Sequence, residues 1–179
     1  MTLAEIIKLK IQQEGPLSFR DFMEMALYYP SFGYYNSEVN KIGKEGDFYT
    51  SPVLSSFFGE MIGKQMEGMW ILLDKKPFTI VEYGAGTGAL CSGILEYLTN
   101  NFALFENLRY VIIEKSESMR KAQEKRFSNK VEWHNSIEEA GRVNGCILSN
   151  EVPDNFAVHK VVMKEGLMEV FVDHEKEFF

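Results

Sequence analysis

Apolar positions in the first part of the chain recur at helical intervals. The spacing predicts helices over residues 3–13, 19–28 and 53–73, the second of them capped by Ser18. Residues 31–52 show no period and are rich in Gly, Ser and Tyr, which predicts a long functional loop. The third helix is expected to bury one stripe, made of Leu54, Phe57, Phe58, Met61, Ile62, Gln65, Met69 and Leu72.

From Pro77 onward, short apolar runs alternate with helical segments. Such alternation is typical of a parallel sheet with helices on both of its faces. Two further alternating runs, separated by the two residues Glu165 and Gly166, predict a hairpin. The predicted strands span 78–83, 108–114, 131–134 and 145–150, and the predicted helices between them span 89–100, 116–127 and 136–140.

These patterns predict an α/β fold, a Rossmann-like doubly wound sheet preceded by helices. Residues 1–76 are expected to form an N-terminal helical cap with a loop for substrate and cofactor. Residues 77–179 are expected to form a partial Rossmann-like domain that ends in the hairpin. Four parallel strands are few for such a sheet, so the sheet is expected to be incomplete at its C-terminal side.

Charge and composition narrow the range of functions. The 179 residues include 26 acids against 19 bases, for a net charge of −7, which argues against a protein that grips nucleic-acid phosphates. Neither the two cysteines nor the three histidines have the sequence spacing that is typical of metal ligands, so no metal site is predicted. The N-terminus lacks a secretory pattern and no apolar stretch could span a bilayer, so we expect a cytoplasmic protein without membrane insertion. Met23, Met61 and Met69 are expected in the core, as are Cys91 and Cys146.

The most informative segment runs from Thr79 to Gly88, with the sequence TIVEYGAGTG. Glycines where a strand turns into a helix let the backbone approach a ligand closely, here through Gly84, Ala85 and Gly86. Dinucleotides and S-adenosyl-L-methionine both bind at such turns. Glu82, two residues before the first glycine, suits the cationic amino group of a methionine moiety and would repel a pyrophosphate, so we favour S-adenosyl-L-methionine over NAD(P).

Further polar residues follow the other predicted strands. Glu114 ends the second strand, 26 residues after Gly88, where an acid can accept hydrogen bonds from both ribose hydroxyls. Ser136, after the third strand, either meets an adenine or caps a helix together with Glu139. Asn150, after the fourth strand, is expected at the methionine part of the cofactor. All of these side chains should share the carboxyl edge of the sheet.

Two acids beyond the fourth strand are the candidate catalytic residues. Glu151 and Asp154 could hold and deprotonate a nitrogen nucleophile, or stabilise a cationic one. The alternative is a solvated turn that leads into the hairpin. In the long loop, Thr50 and Ser51, with Asp47, are expected to fold over the methionine end of the cofactor, and Tyr34 or Tyr49 to line a substrate channel.

Together these segments resemble the MidA family of class I methyltransferases, which includes the mitochondrial complex I assembly factor that methylates an arginine. The segments that carry the resemblance are Pro30–Tyr35, Gly46–Pro52, Phe58–Glu60, Glu82–Gly88, Glu114–Arg120 with Gln123, Trp133, and Asn150–Glu151 with Asp154. The chain departs from the family pattern at Val53, Ala85, Asn155 and Ala157.

The resemblance implies an S-adenosyl-L-methionine-dependent transferase that acts on a protein side chain, with arginine as the acceptor and a respiratory-complex-type subunit as the substrate. Glu151 and Asp154 would then grip the guanidinium group. Family members are about twice as long, with seven strands, so either the rest of a longer protein or a second chain is expected to complete the sheet. A non-catalytic S-adenosyl-L-methionine-binding or assembly module is the alternative function, and an NAD(P)-dependent oxidoreductase a weaker one.

Overall fold

The computed structural model describes residues 1–37, 46–47, 50–127 and 129–174. Their contacts form two compact units. One, here the terminal unit, combines residues 1–38 with residues 153–179, and the other, the sheet unit, comprises residues 39–152. The boundary at residues 76 and 77 expected from the sequence stays a prediction. Within the described residues, no helix is both long and apolar enough to cross a membrane.

The sheet unit contains the predicted parallel sheet. Its strands are β2 (Phe78–Tyr83), β3 (Leu108–Ile113), β4 (Val131–His134) and β5 (Gly145–Ser149), in the spatial order β4-β3-β2-β5. All three pairings are parallel, with Val81 opposite both Val111 and Ile147. Its helices are α3 (Ser51–Leu54), α4 (Ser56–Leu72), α5 (Ala89–Leu98), α6 (Phe102–Glu106), α7 (Glu117–Arg126) and α8 (Ile137–Ala140).

Both faces of this sheet are covered, which confirms the α/β fold class. On one face, alternate residues of β2 and β3 pack with α4, α5 and α6, and the buried side chains include Phe78, Ile80, Ile112, Trp70 and Ile94. On the other face, Val81, Val111 and Ile113 pack with Ala140 of α8. Since successive strand residues point to opposite faces, a strand buried on both sides is apolar almost throughout, as β2 and β3 are.

The prediction for the helix over 53–73 is wrong in two respects. The helix is interrupted at Ser55, which caps α4, so that the two helices α3 and α4 form in place of the single predicted one. The buried face consists of Gly59, Gly63, Met66 and Trp70, whereas Leu54, Phe57, Met61, Met69 and Leu72 are exposed. A Cβ atom added to Gly59 would lie 2.7 Å from the Gly93 Cα atom of α5, so the two glycines allow close helix packing. Met61 and Met69 are therefore not core residues, while Cys91 is buried as predicted and Cys146 is half-buried.

The terminal unit contains the first two predicted helices, α1 (Leu3–Glu14) and α2 (Phe19–Tyr28), and Ser18 caps α2 as expected. The unit also contains the two-residue strands β1 (Leu17–Ser18) and β8 (Phe171–Val172), which pair with each other in antiparallel orientation. The predicted hairpin forms from β6 (Val161–Met163) and β7 (Leu167–Glu169), and a single 3₁₀ turn covers Pro153–Asn155. Met163 pairs with Leu167, so the hairpin connection has three residues and the predicted two-residue turn is wrong.

Candidate functional site

The turn between β2 and α5 takes the left-handed backbone conformation at three positions. The φ angles are 61° at Gly84, 55° at Gly86 and 75° at Gly88, the residue that precedes α5. This conformation costs other residues roughly 1–2 kcal/mol, which accounts for the glycine pattern. At Gly84 space is also short, because an added Cβ atom would lie 2.9 Å from Cγ2 of Val152. Ala85 is buried within the turn, and its carbonyl accepts the Gly88 N–H at 2.8 Å.

The structure brings Glu114 to this glycine turn, as the sequence predicts. Gly84 N–H donates to the carbonyl of Ile113, the residue before Glu114, at 2.9 Å. Glu114 is 8% exposed, and its carboxylate accepts the Ser116 N–H at 2.9 Å. Burial raises the pKa of Glu114, and hydrogen bonds from backbone N–H groups and from Gln123 oppose that rise. A buried, oriented acid therefore lies beside the half-buried backbone of the glycine turn, at the carboxyl edge of the sheet.

Gln123 of α7 forms hydrogen bonds both to the glycine turn and to Glu114. The side-chain amide nitrogen lies 2.8 Å from the Gly86 carbonyl oxygen and 3.0 Å from Glu114 Oε2. The amide oxygen accepts the indole N–H of Trp133 at 3.0 Å. Sequence reasoning noted Gln123 only within the family resemblance. The available signal was one uncharged amide among the charged side chains of α7, whose sequence is ESMRKAQEKR.

Glu82 lies beneath the turn rather than at its surface. The side chain is 2% exposed, and Tyr110 Oη donates to its carboxylate at 2.5 Å. Burial, the largest cause, raises the pKa of Glu82 from 4.5 to about 7, the Tyr110 hydroxyl lowers it, and the nearby charge of Glu114 raises it. Tyr110 also bonds to Cys91. The predicted contact of Glu82 with a cofactor amino group stays a prediction.

Residues after β5 approach the same turn. Tyr83 of β2 pairs with Ser149, so half-buried Asn150 follows immediately beyond the paired strands, and Val152 packs on Gly84. Exposed Glu151 has a φ angle of 54°, a left-handed conformation that a residue with a side chain rarely takes. Strained residues of this kind cluster at functional sites.

Other predicted site residues lie at the starts of helices α8 and α3. Ser136 is half-buried and stands immediately before α8, but its side chain does not cap the helix. Glu139 accepts the N–H of Asn135 instead, so the predicted capping pair does not form. Thr50 precedes α3, which begins at Ser51, and α3 packs against α5. The carbonyls of Thr50 and Ser51 accept hydrogen bonds from residues 53–55, so the predicted position of these two residues over the cofactor stays a prediction, and Tyr49 is outside the described residues.

Asp154 belongs to the terminal unit, where it is an exposed residue of the 3₁₀ turn. The next residue, Asn155, accepts hydrogen bonds from two tyrosines of the same unit. Its backbone carbonyl accepts the Tyr28 hydroxyl at 3.1 Å, and its side-chain oxygen accepts the Tyr35 hydroxyl at 2.7 Å. Tyr28 and Tyr35 stack with ring centroids 5.6 Å apart, and Tyr34 meets Tyr35 edge-on at 5.0 Å. The pairing of Asp154 with Glu151 around a substrate stays a prediction.

The geometry therefore combines a glycine turn, half-buried at Gly84 and Gly86, with an oriented acid that follows the adjacent strand. The four positions that follow the parallel strands, at Gly84, Glu114, Ser136 and Asn150, share one edge of the sheet because all four strands run in the same direction. This is where open parallel sheets bind nucleotides and related ligands. Among the residues that the structure describes, no cluster of three or more His, Cys, Asp or Glu side chains could hold a metal ion.

Comparison with known proteins gives a consistent family assignment. A family model described as "Putative S-adenosyl-L-methionine-dependent methyltransferase" matches residues 61–178. The chain is 31% identical over 198 residues to the protein arginine methyltransferase NDUFAF7 homolog of Drosophila melanogaster, covering 96% of this chain and 45% of that protein. It is 27% identical to human protein arginine methyltransferase NDUFAF7, covering 92% of this chain and 43% of the relative. The chain thus spans less than half the length of these relatives.

Two solved structures from Burkholderia thailandensis share the fold. A COG1565 superfamily member and likely methyl transferase, bound to S-adenosyl-homocysteine, superposes with a TM-score of 0.71 at 23% identity, covering 97% of this chain and 50% of that one. A native COG1565 superfamily protein superposes with a TM-score of 0.74 at 27% identity, covering 98% of this chain and 48% of that one. Both likenesses extend over nearly all of this chain.

Proposed function

Because the chain belongs to the S-adenosyl-L-methionine-dependent methyltransferase family whose model it matches, we propose that it binds this cofactor at the carboxyl edge of its sheet and methylates arginine in a protein. One observation carries the proposal: Glu114 and the glycine turn meet through Gln123, whose amide nitrogen lies 2.8 Å from the Gly86 carbonyl oxygen and 3.0 Å from Glu114 Oε2. The relatives are named protein arginine methyltransferases, which supports the choice of acceptor.

The residues present suit the chemistry of the cofactor. Ser116 N–H and the Gln123 amide each donate to one oxygen of the Glu114 carboxylate, and the remaining acceptor capacity of these oxygens suits ribose hydroxyls. The backbone of Gly84, Ala85 and Gly86 would approach the methionine part, beside Asn150. Ser136 would face the adenine. When bound, the cofactor supplies a methyl group activated on a positively charged sulfur.

The acidic side chains of Glu82 and Glu114 favour binding of a positively charged cofactor. Glu82 is buried beneath the turn, so its charge would act on a cationic amino group across a short stretch of protein of low polarity. Removal of that charge would lower affinity for the cofactor without removing a direct contact. A pyrophosphate would be repelled by Glu82 and Glu114 together, which disfavours a dinucleotide.

Glu151 is the acid we assign to the acceptor. Its carboxylate is exposed, next to Asn150, and its strained backbone fits a residue retained for function rather than for stability. A carboxylate can hold a guanidinium group by two charge-assisted hydrogen bonds and can accept its proton. The role of Asp154, the folding of the loop with Asp47, Thr50 and Ser51 over the cofactor, and a cytoplasmic location all stay predictions.

Transfer of a labelled methyl group tests the proposal. The protein is incubated with S-adenosyl-L-methionine labelled in the methyl group and with an extract that contains its natural partners, and labelled proteins are hydrolysed to identify methylarginine. Glu151→Gln should abolish transfer while leaving S-adenosyl-homocysteine affinity within twofold of the parent, and the exposed Glu165→Gln should change neither. Labelled lysine or glutamine in place of methylarginine would contradict the assigned acceptor.

A second candidate is a cofactor-binding module that needs another polypeptide for activity. The outer edge of β5 has no neighbouring strand among the described residues, and Ile147 on that strand is 55% exposed. An unpaired edge strand with apolar side chains favours pairing with a further strand. We propose that additional polypeptide, from a longer protein or from a second chain, completes the sheet there. Cofactor binding without methyl transfer by this chain alone would favour the module.

A further inference from the structure

The amide of Gln123 is fixed in one orientation by its neighbours. Gln123 is 0% exposed, and its side chain makes three hydrogen bonds within the sheet unit. Its oxygen faces the indole N–H of Trp133, which can only donate. Its nitrogen faces two acceptors, the Gly86 carbonyl and the Glu114 carboxylate. Rotation of the amide by 180° would oppose donor to donor and acceptor to acceptor, so the amide has a single favourable orientation.

These three hydrogen bonds join different strand ends. Gly86 belongs to the turn after β2, Glu114 follows β3, and Trp133 is in β4. Gln123 is therefore a cross-link from α7 to three neighbouring positions at the carboxyl edge.

We propose that Gln123 is a positioning residue for the adenosine part of the cofactor, which it affects through Glu114 rather than by contact. The amide donates to Glu114 Oε2 at 3.0 Å and so fixes the orientation in which the carboxylate would accept the ribose hydroxyls. The indole of Trp133 holds the amide in turn. This inference rests on the proposed function, because it assumes that Glu114 meets the ribose.

A hydrogen bond from an amide to a charged group is strong enough for a measurable effect on affinity. Gln123→Met keeps the length of the side chain and removes the donors as well as the acceptor. We expect it to weaken S-adenosyl-homocysteine binding about tenfold. Lys121→Met, an exposed substitution on the same helix, is the matched control and should leave the affinity unchanged.

A double-mutant cycle separates positioning from general damage. Dissociation constants for S-adenosyl-homocysteine are measured by titration calorimetry for the parent, Gln123→Met, Glu114→Ala and the double variant. If Gln123 acts through Glu114, its substitution should cost less than twofold once Glu114 is absent. An equal loss in both backgrounds, or no loss in either, would overturn the inference.

A second variant covers the case in which Gln123→Met fails to fold, as judged by circular dichroism. Trp133→Phe removes the indole donor, together with part of the ring, and the same cycle should show a loss of about threefold that disappears in Glu114→Ala. Equal losses in both backgrounds again overturn the inference. A parent protein that does not bind S-adenosyl-homocysteine would overturn the proposed function, and this inference with it, whereas binding with uncoupled losses overturns the inference alone.

Discussion

Tyr110 and Glu82 form a short hydrogen bond, 2.5 Å from phenol oxygen to carboxylate, between adjacent strands beneath the glycine turn. The phenol donates, and both side chains are almost completely buried. Burial also raises the pKa of Tyr110 well above its usual value, so the phenol stays protonated and remains a donor. The pair keeps a titratable acid beneath the proposed cofactor site.

This acid makes stability depend on pH in a defined direction. Because the pKa of Glu82 rises from 4.5 to about 7 on folding, the folded state binds more protons than the unfolded chain between these values. The contribution of Glu82 to the free energy of unfolding therefore falls as pH rises from about 4.5 to about 7, by roughly 3 kcal/mol in total. Glu82→Gln, which cannot ionise, should remove this dependence.

Chemical denaturation at several pH values measures the effect. Glu82→Gln should be more stable than the parent at pH 8, with the advantage shrinking toward pH 5. Glu60→Gln, at an exposed position of α4, is the control and should follow the parent at every pH. A constant difference between Glu82→Gln and the parent across this range would show that Glu82 does not titrate as described.

The glycine turn should tolerate no side chain at Gly84. Gly84→Ala forces an alanine into a φ angle of 61° and against Val152, so we expect a loss of about 2 kcal/mol in the free energy of unfolding. Gly68→Ala in α4 is a matched control, because it is an exposed helical position with no heavy atom within 4 Å of the added Cβ. It should stabilise by about 0.5–1 kcal/mol. Equal effects of the two substitutions in urea denaturation would argue against a strained turn.

Asn155, one of the departures from the family pattern, should stabilise the terminal unit. Asn155→Ala removes the acceptor of the Tyr35 hydroxyl and is expected to cost about 1 kcal/mol. Tyr35→Phe should cost a similar amount. If the bond is the cause, the double variant should lose little more than either single variant in denaturant unfolding. Strictly additive losses would mean that the two side chains act independently.

The sequence predicted the parts of the fold that follow from local periodicity and strand direction. Parallel strands place their ends at one edge, so the meeting of Glu114 with the glycine turn could be expected from two short motifs. The buried face of α4 could not be expected in this way. Its core contacts depend on Gly59 and Gly63, which a count of apolar residues passes over, whereas large side chains such as Met61 are exposed.

The hydrogen-bond partners of the buried polar side chains were equally hard to predict from the sequence. Gln123 and Tyr110 serve as donors to acids that are distant in sequence, and no periodic pattern marks such partners. Glu82 was expected at the surface of a ligand site, but its position in β2 points it to the face covered by α4 and α5, together with Ile80 and Phe78. A one-residue shift in that strand would have turned it to the other face.

Calorimetric titration with S-adenosyl-L-methionine tests the central claim, that Glu114 beside the glycine turn binds the cofactor. The parent should bind, and Glu114→Ala should bind at least about tenfold more weakly, since a charged acceptor is lost. Glu117→Ala, which removes an exposed acid from the neighbouring helix, should bind like the parent. Equal affinities of Glu114→Ala and the parent, or no binding by the parent, would contradict the account.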